Sequence, residues 1–153
     1  MDDPLWELIP KAGIECSTVK ILFGAQRHEL LQAMAKEFAP PVASSFLDED
    51  DFVSLDKETF VRVRYQRKVV RDIEFLKGSL KHEGIHLHSG TTFPELERMF
   101  ERAGLTFRDT QWLGEGQDCP ELGINVATHE DVGGDGDAIE WVIMSSNFND
   151  LPD

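Results

Sequence analysis

The chain has 153 residues, 41% of them apolar, which suits one domain with a buried core. Its 29 acids against 15 Lys and Arg leave a net charge of −14, which disfavours nucleic acid and anionic membranes and favours a basic protein partner. No stretch approaches the roughly 20 apolar residues of a membrane-spanning helix. Residues 1–7 lack the basic start and apolar run of a signal peptide, and Cys16 and Cys119 read as separate free thiols, so a cytoplasmic protein is expected.

In chain order, residues 1–17, with Trp6, Leu8 and Ile9 between Pro4 and Pro10, read as a short helix or turn capping the core. Residues 18–23 alternate with Val19, Ile21 and Phe23 on one face, the pattern of a half-buried strand, and Gly24 ends it. Residues 26–38 place Leu30, Met34 and Phe38 on one helical face. Residues 39–59, with Pro40-Pro41 and the acidic run Asp48, Glu49, Asp50 and Asp51, read as a long loop or a short extra strand carrying Phe52 and Leu55. Residues 60–66 and 69–76 alternate around Arg67-Lys68 and form a hairpin.

A second series follows. Ile85 and Leu87 mark a strand that Gly90 ends. Thr92 and Glu95 have capping-box spacing, and Pro94 sits where a first helical turn tolerates it. Phe93, Leu96, Phe100 and Ala103 form the buried stripe, with Gly104 as the stop. Residues 106–112 suggest a strand carrying Phe107 and Trp112. Residues 122–128 and 138–145 form a second hairpin with an acidic, glycine-rich loop.

Sliding the sequence against itself by 66 positions brings Val19 and Ile21 onto Ile85 and Leu87, Gly24 onto Gly90, Leu30 onto Leu96, and Ile73-Glu74-Phe75 onto Ile139-Glu140-Trp141. The expected architecture is therefore α+β. Two tandem β-α-β-β repeats, about residues 18–76 and 84–145 of a single domain spanning 1–153, would form one antiparallel sheet with both helices on one face.

The charge divides unevenly between the repeats. Residues 1–80 hold 14 acids and 11 basic residues; residues 81–153 hold 15 and 4, and no Lys or Arg follows Arg108. A run of acids is ordinarily a solvated face, but so long a stretch without a cation predicts a one-sided negative field. The residues expected to meet a partner are Asp48, Glu49, Asp50 and Asp51, then Trp112, Glu115, Asp118 and Glu121, then Glu130, Asp131, Asp135 and Asp137.

Motifs for chemistry are weak. His86 and His88 are expected on the same strand face, with His82 near, but no carboxylate or cysteine at ligand spacing completes a zinc set. Gly133-Gly134-Asp135-Gly136-Asp137 is a single calcium-like copy with Ala138 where another Asp is wanted. Neither cysteine has a nucleophile signature. No catalytic residue, metal or cofactor is expected.

The segments Ile21-Leu22-Phe23-Gly24, Ser89-Gly90-Thr91, Cys119-Pro120-Glu121-Leu122-Gly123-Ile124 and Ile139-Glu140-Trp141-Val142 resemble immunity-type proteins of bacterial polymorphic-toxin systems, over most of residues 19–145. The resemblance implies a non-enzymatic protein that binds and neutralises one cognate toxin, often a nuclease. It hands over no site residues. The tandem units also resemble gyrase-inhibitor-like domains, which would imply a small molecule held between the repeats.

Overall fold

The computed structural model describes residues 5–41, 48–110 and 113–147. Its strands are β1 (Trp6–Ile9), β2 (Gly13–Glu15), β3 (Lys20–Leu22), β4 (Glu49–Val53), β5 (Phe60–Gln66), β6 (Val69–Lys77), β7 (Leu80–His82), β8 (Ile85–His88), β9 (Arg108–Asp109), β10 (Gln117–Cys119), β11 (Ile124–Thr128) and β12 (Ile139–Ser145). The helices are α1 (Arg27–Met34) and α2 (Phe93–Arg102). No helix among the described residues is long and apolar enough to cross a membrane.

The fold corrects the expected α+β architecture. It is mostly β, with a five-stranded sheet in the order β3-β2-β1-β7-β8 and a seven-stranded sheet in the order β4-β5-β6-β12-β11-β10-β9. The helices have only 8 and 10 residues, too little to form a layer over a sheet. Residues expected to cap the core as a helix or turn are instead β1 and β2, where Trp6 and Leu8 alternate inward. The pairing of β1 with β7 is parallel, so the strands are not all antiparallel either. α1 stops at Met34, and Phe38 joins the core from a bridge to Ser54 rather than from the helix.

Both sheets contribute to one core. Trp6, Leu8, Ile14, Ile21, Leu80 and Leu87 of the first sheet join Phe52, Val61, Val63, Ile73, Phe75, Val126, Val142 and Met144 of the second. Burial of these apolar side chains, at about 25 cal/mol per Å², supplies the main driving force. Leu30 and Met34 of α1 and Leu96 and Phe100 of α2 close the core from the side. His88 ties the sheets together from β8: its Nε2 lies 3.0 Å from the Glu140 carbonyl and its Nδ1 3.3 Å from that of Gly78.

Two series of elements recur in the same order, β2-β3-α1-β4-β5-β6 and β7-β8-α2-β10-β11-β12. Each helix start is strapped to its hairpin in the same way. The N–H of Val70 donates to Ala25 and that of Arg27 to Lys68; the N–H of Ile139 donates to Thr91 and that of Phe93 to Asp137. The hairpins also share a bulge, with Arg71 the extra residue in one and Glu140 in the other.

This geometry shows that one sequence offset does not carry through the hairpins. Val70, not Ile73, occupies the place of Ile139. In the registers, Val63 paired with Ile73 corresponds to Val126 paired with Val142. The slip arises because Arg67 and Lys68 alone turn the first hairpin, whereas the second carries a long acidic loop.

Candidate functional site

The register of the seven-stranded sheet lays out its outer face. One row crosses every strand: Asp51, Arg62, Glu74, Ile143, Asn125, Asp118 and Arg108. Positions that are Arg62, Arg64, Asp72 and Glu74 in the first repeat are Asn125, Ala127, Trp141 and Ile143 in the second. The outer face is thus charged on one half and largely neutral on the other. Apart from Asp118 in that row, the second-repeat acids expected to meet a partner lie in the loops.

On the first half, arginines from distant parts of the sequence answer the acidic run of β4. Asp50 points inward and is buried; Arg27 of α1 grips it through Nε at 3.0 Å and Nη2 at 2.8 Å, and the Tyr65 hydroxyl donates to it at 2.8 Å. The Arg27 guanidinium also lies 4.7 Å from the centre of the Tyr65 ring. The hydrogen bond to Asp50 raises the Arg27 pKa against the opposing effect of burial. Burial, helped by the Asp50 carboxylate, pushes the Tyr65 phenol well above its ordinary value. Asp48 lies 4.0 Å from Arg27. Asp51 pairs with Arg62 at 2.7 Å, and Glu49 sits 3.3 Å from Arg62 and 3.8 Å from Arg64. Arg64 also faces Glu74 at 3.3 Å, yet burial still holds the Glu74 carboxyl above its usual range. The four acids of residues 48–51 therefore belong to an internal lattice of ion pairs.

On the second half, Asn125 is the node. Its amide nitrogen donates to Asp118 at 2.9 Å and to the Glu115 carbonyl at 3.1 Å, while its oxygen accepts from Trp141 Nε1 at 2.9 Å. Asn125 and Asp118 are both fully buried. What covers them is the chain around Gly116. A Cβ at Gly116 would lie 2.6 Å from the Val126 carbonyl oxygen and 2.8 Å from Asn125 Oδ1, so only glycine lets this loop cross. Asp118 is thus removed from any partner surface. Glu115 is exposed, and Glu121 is exposed and bonded to Thr106 and Cys119. Trp112 lies outside the described residues.

The loop between β11 and β12 is different. Every residue from 130 to 137 is exposed, including Glu130, Asp131, Asp135 and Asp137. Its base is ordered by backbone bonds from Glu130 to Gly136 and from Gly134 to His129, and the Asp131 carboxylate accepts from the Thr128 N–H at 2.9 Å. Val132, 40% exposed, stands among the acids. His129 meets Glu140 at 2.7 Å below the tip. Of the acids singled out from sequence, this tip is where several come together on an exposed surface.

The weaker motifs resolve on geometry. A bulge opposite Leu80 makes Leu87 the extra residue of β8, so His86 and His88 face opposite ways rather than sharing a face. His86 is exposed, while His88 is buried against Phe75 and desolvation lowers its pKa. No group of three or more metal-ligating side chains occurs among the described residues. Burial pushes the Cys119 thiol up to about 12, which opposes a nucleophilic role. No family model, curated protein or solved structure matches this chain.

Proposed function

We propose that this chain is a non-enzymatic, cytoplasmic binding protein of the immunity type, which neutralises a basic protein toxin through the acidic tip of its second hairpin. The observation that carries this reading is the contrast in how acids are answered. Those of β4 are paired with Arg27, Arg62 and Arg64, whereas Glu130, Asp131, Asp135 and Asp137 are exposed in a stretch with no Lys or Arg after Arg108. A concentrated negative tip steers a basic partner and speeds encounter. Val132 supplies an apolar contact within the acidic rim. Such an interface fits a basic enzyme cleft that ordinarily receives a polyanion.

The test is binding of the protein encoded by the adjacent reading frame, measured by calorimetry at low and at moderate salt. Wild type is expected to bind with strong salt dependence. A variant carrying Glu130→Gln, Asp131→Asn, Asp135→Asn and Asp137→Asn should bind at least tenfold more weakly while remaining folded. Equal affinity of the two proteins, or affinity indifferent to salt, would remove the tip from the interface.

A further inference from the structure

At the opposite end of the sheet, the first hairpin forms a groove of about 570 Å³ with the turn after β3 and the residue that follows β12. Phe23, Val69 and Val70 give it an apolar floor, Arg67 and Arg71 a cationic rim, and Ser146 a polar wall. Among the described residues no Asp or Glu lines it, in a chain of net charge −14. Its size is in the range of small-molecule sites, about 300–1,000 Å³.

Three further observations bear on what it accepts. The walls are fixed, because Gly24 N–H donates to Val70, Val70 N–H to Ala25 and Arg27 N–H to Lys68. The turn places Arg67 and Lys68 at φ of 53° and 66°, where Asn-Gly is the usual pair. The chain thus accepts backbone strain of about 1 kcal/mol or more per residue in a turn built of two cations. Finally, the bulge residue that is Arg71 here is Glu140 in the second repeat, where His129 answers it. Asp72 orients Arg71 through bonds of 2.9 and 2.8 Å from Nε and Nη2, while Arg67 stands exposed on the rim.

We propose that this groove binds a small organic anion with an apolar body, a carboxylate or a phosphate monoester. The charge meets Arg67 and Arg71, and the body lies on Phe23, Val69 and Val70. This inference is independent of the toxin-binding reading, since it uses the other end of the molecule.

Nuclear magnetic resonance titration with phenyl phosphate, benzoate, inorganic phosphate and benzyl alcohol tests it. Either organic anion should give saturable shifts at the amides of Gly24, Val70 and Ser146, and the stronger of the two identifies the head group. Arg67→Asn keeps a residue that tolerates the turn and should weaken binding at least tenfold, whereas Arg67→Lys should restore most of it. The proposal is overturned by no saturable shift with either organic anion, by benzyl alcohol binding as well as they do, or by Arg67→Asn binding like wild type. Inorganic phosphate matching phenyl phosphate would overturn it as well, because the apolar floor would then contribute nothing.

Discussion

The two halves of the seven-stranded sheet solve one problem in two ways. Each must finish an outer face that the other sheet does not cover. The first half does so with charge: Asp51, Arg62, Glu49, Arg64 and Glu74 form a chain of ion pairs left partly open to water. The second half does so with a roof: the chain at Gly116 crosses over Asn125 and Ala127, and a neutral amide gathers the polar groups beneath it. Exposed ion pairs contribute little stability each, about 0–1 kcal/mol. A buried amide with all its bonds made is costly to disturb. The same backbone plan thus leaves one face adjustable and the other fixed, and the acids of the second repeat are free to collect at its tip.

This comparison can be broken at its node. Asn125→Ala leaves the Trp141 N–H, the Asp118 carboxylate and the Glu115 carbonyl each short of a bond. We expect a loss of about 4 kcal/mol in denaturant unfolding, at about 1–3 kcal/mol for each buried group left unsatisfied. A loss below about 1 kcal/mol would mean that the roof is not held by this residue. Next in size is Asp50→Asn, which removes the carboxylate gripped by Arg27 and Tyr65. It should cost roughly 3 kcal/mol, because the partly buried Arg27 loses the charge of its buried partner. An unchanged midpoint would show that the pair does not hold α1 to β4.

The smallest effect sharpens the charged half. Burial raises the folded-state pKa of Glu74 above its usual value, so its protonated form is favoured in the fold. That contribution is fully present below the ordinary glutamate range and is lost as pH rises through the raised value. Glu74→Gln should therefore leave stability near pH 4 unchanged. At pH 7 it should raise stability by no more than about 1 kcal/mol. Destabilisation at pH 7 would show that attraction to Arg62 and Arg64 outweighs the burial cost.

Much of this fold is readable from residue order, and the reasons for the exceptions are specific. Alternation over residues 60–66 and 69–76 gives β5 and nearly all of β6, because one face of each strand is apolar and the other charged. Thr92 does cap α2, accepting from Glu95 N–H at 3.5 Å. The strand character of Trp6 and Leu8 is masked by neighbouring prolines, and four residues are too few to establish a period. The match of Ile73-Glu74-Phe75 with Ile139-Glu140-Trp141 misleads because local identity carries no record of turn length: Phe75 faces the core, while Trp141 faces Asn125 on the other side. The acids at 48–51 read as an open patch because their partners, Arg27, Arg62 and Arg64, come from elsewhere in the chain. The exposure of residues 130–137 is readable because the run is rich in Asp and Gly and has no apolar stripe to bury.

Strand β1 stands outside both series of elements. β1 lies between the hairpins β2–β3 and β7–β8, antiparallel to the first and parallel to the second, with Trp6 N–H donating to Ser79. It joins two units that would otherwise face each other across an open seam. Its second edge must wait until residue 80 is made before it can pair, so some seventy residues separate the two partners. Parallel, long-range pairings of this kind form slowly and stay vulnerable to misassociation until they close. The pairing of β1 with β7 therefore closes only after the chain has passed through the whole first series of elements.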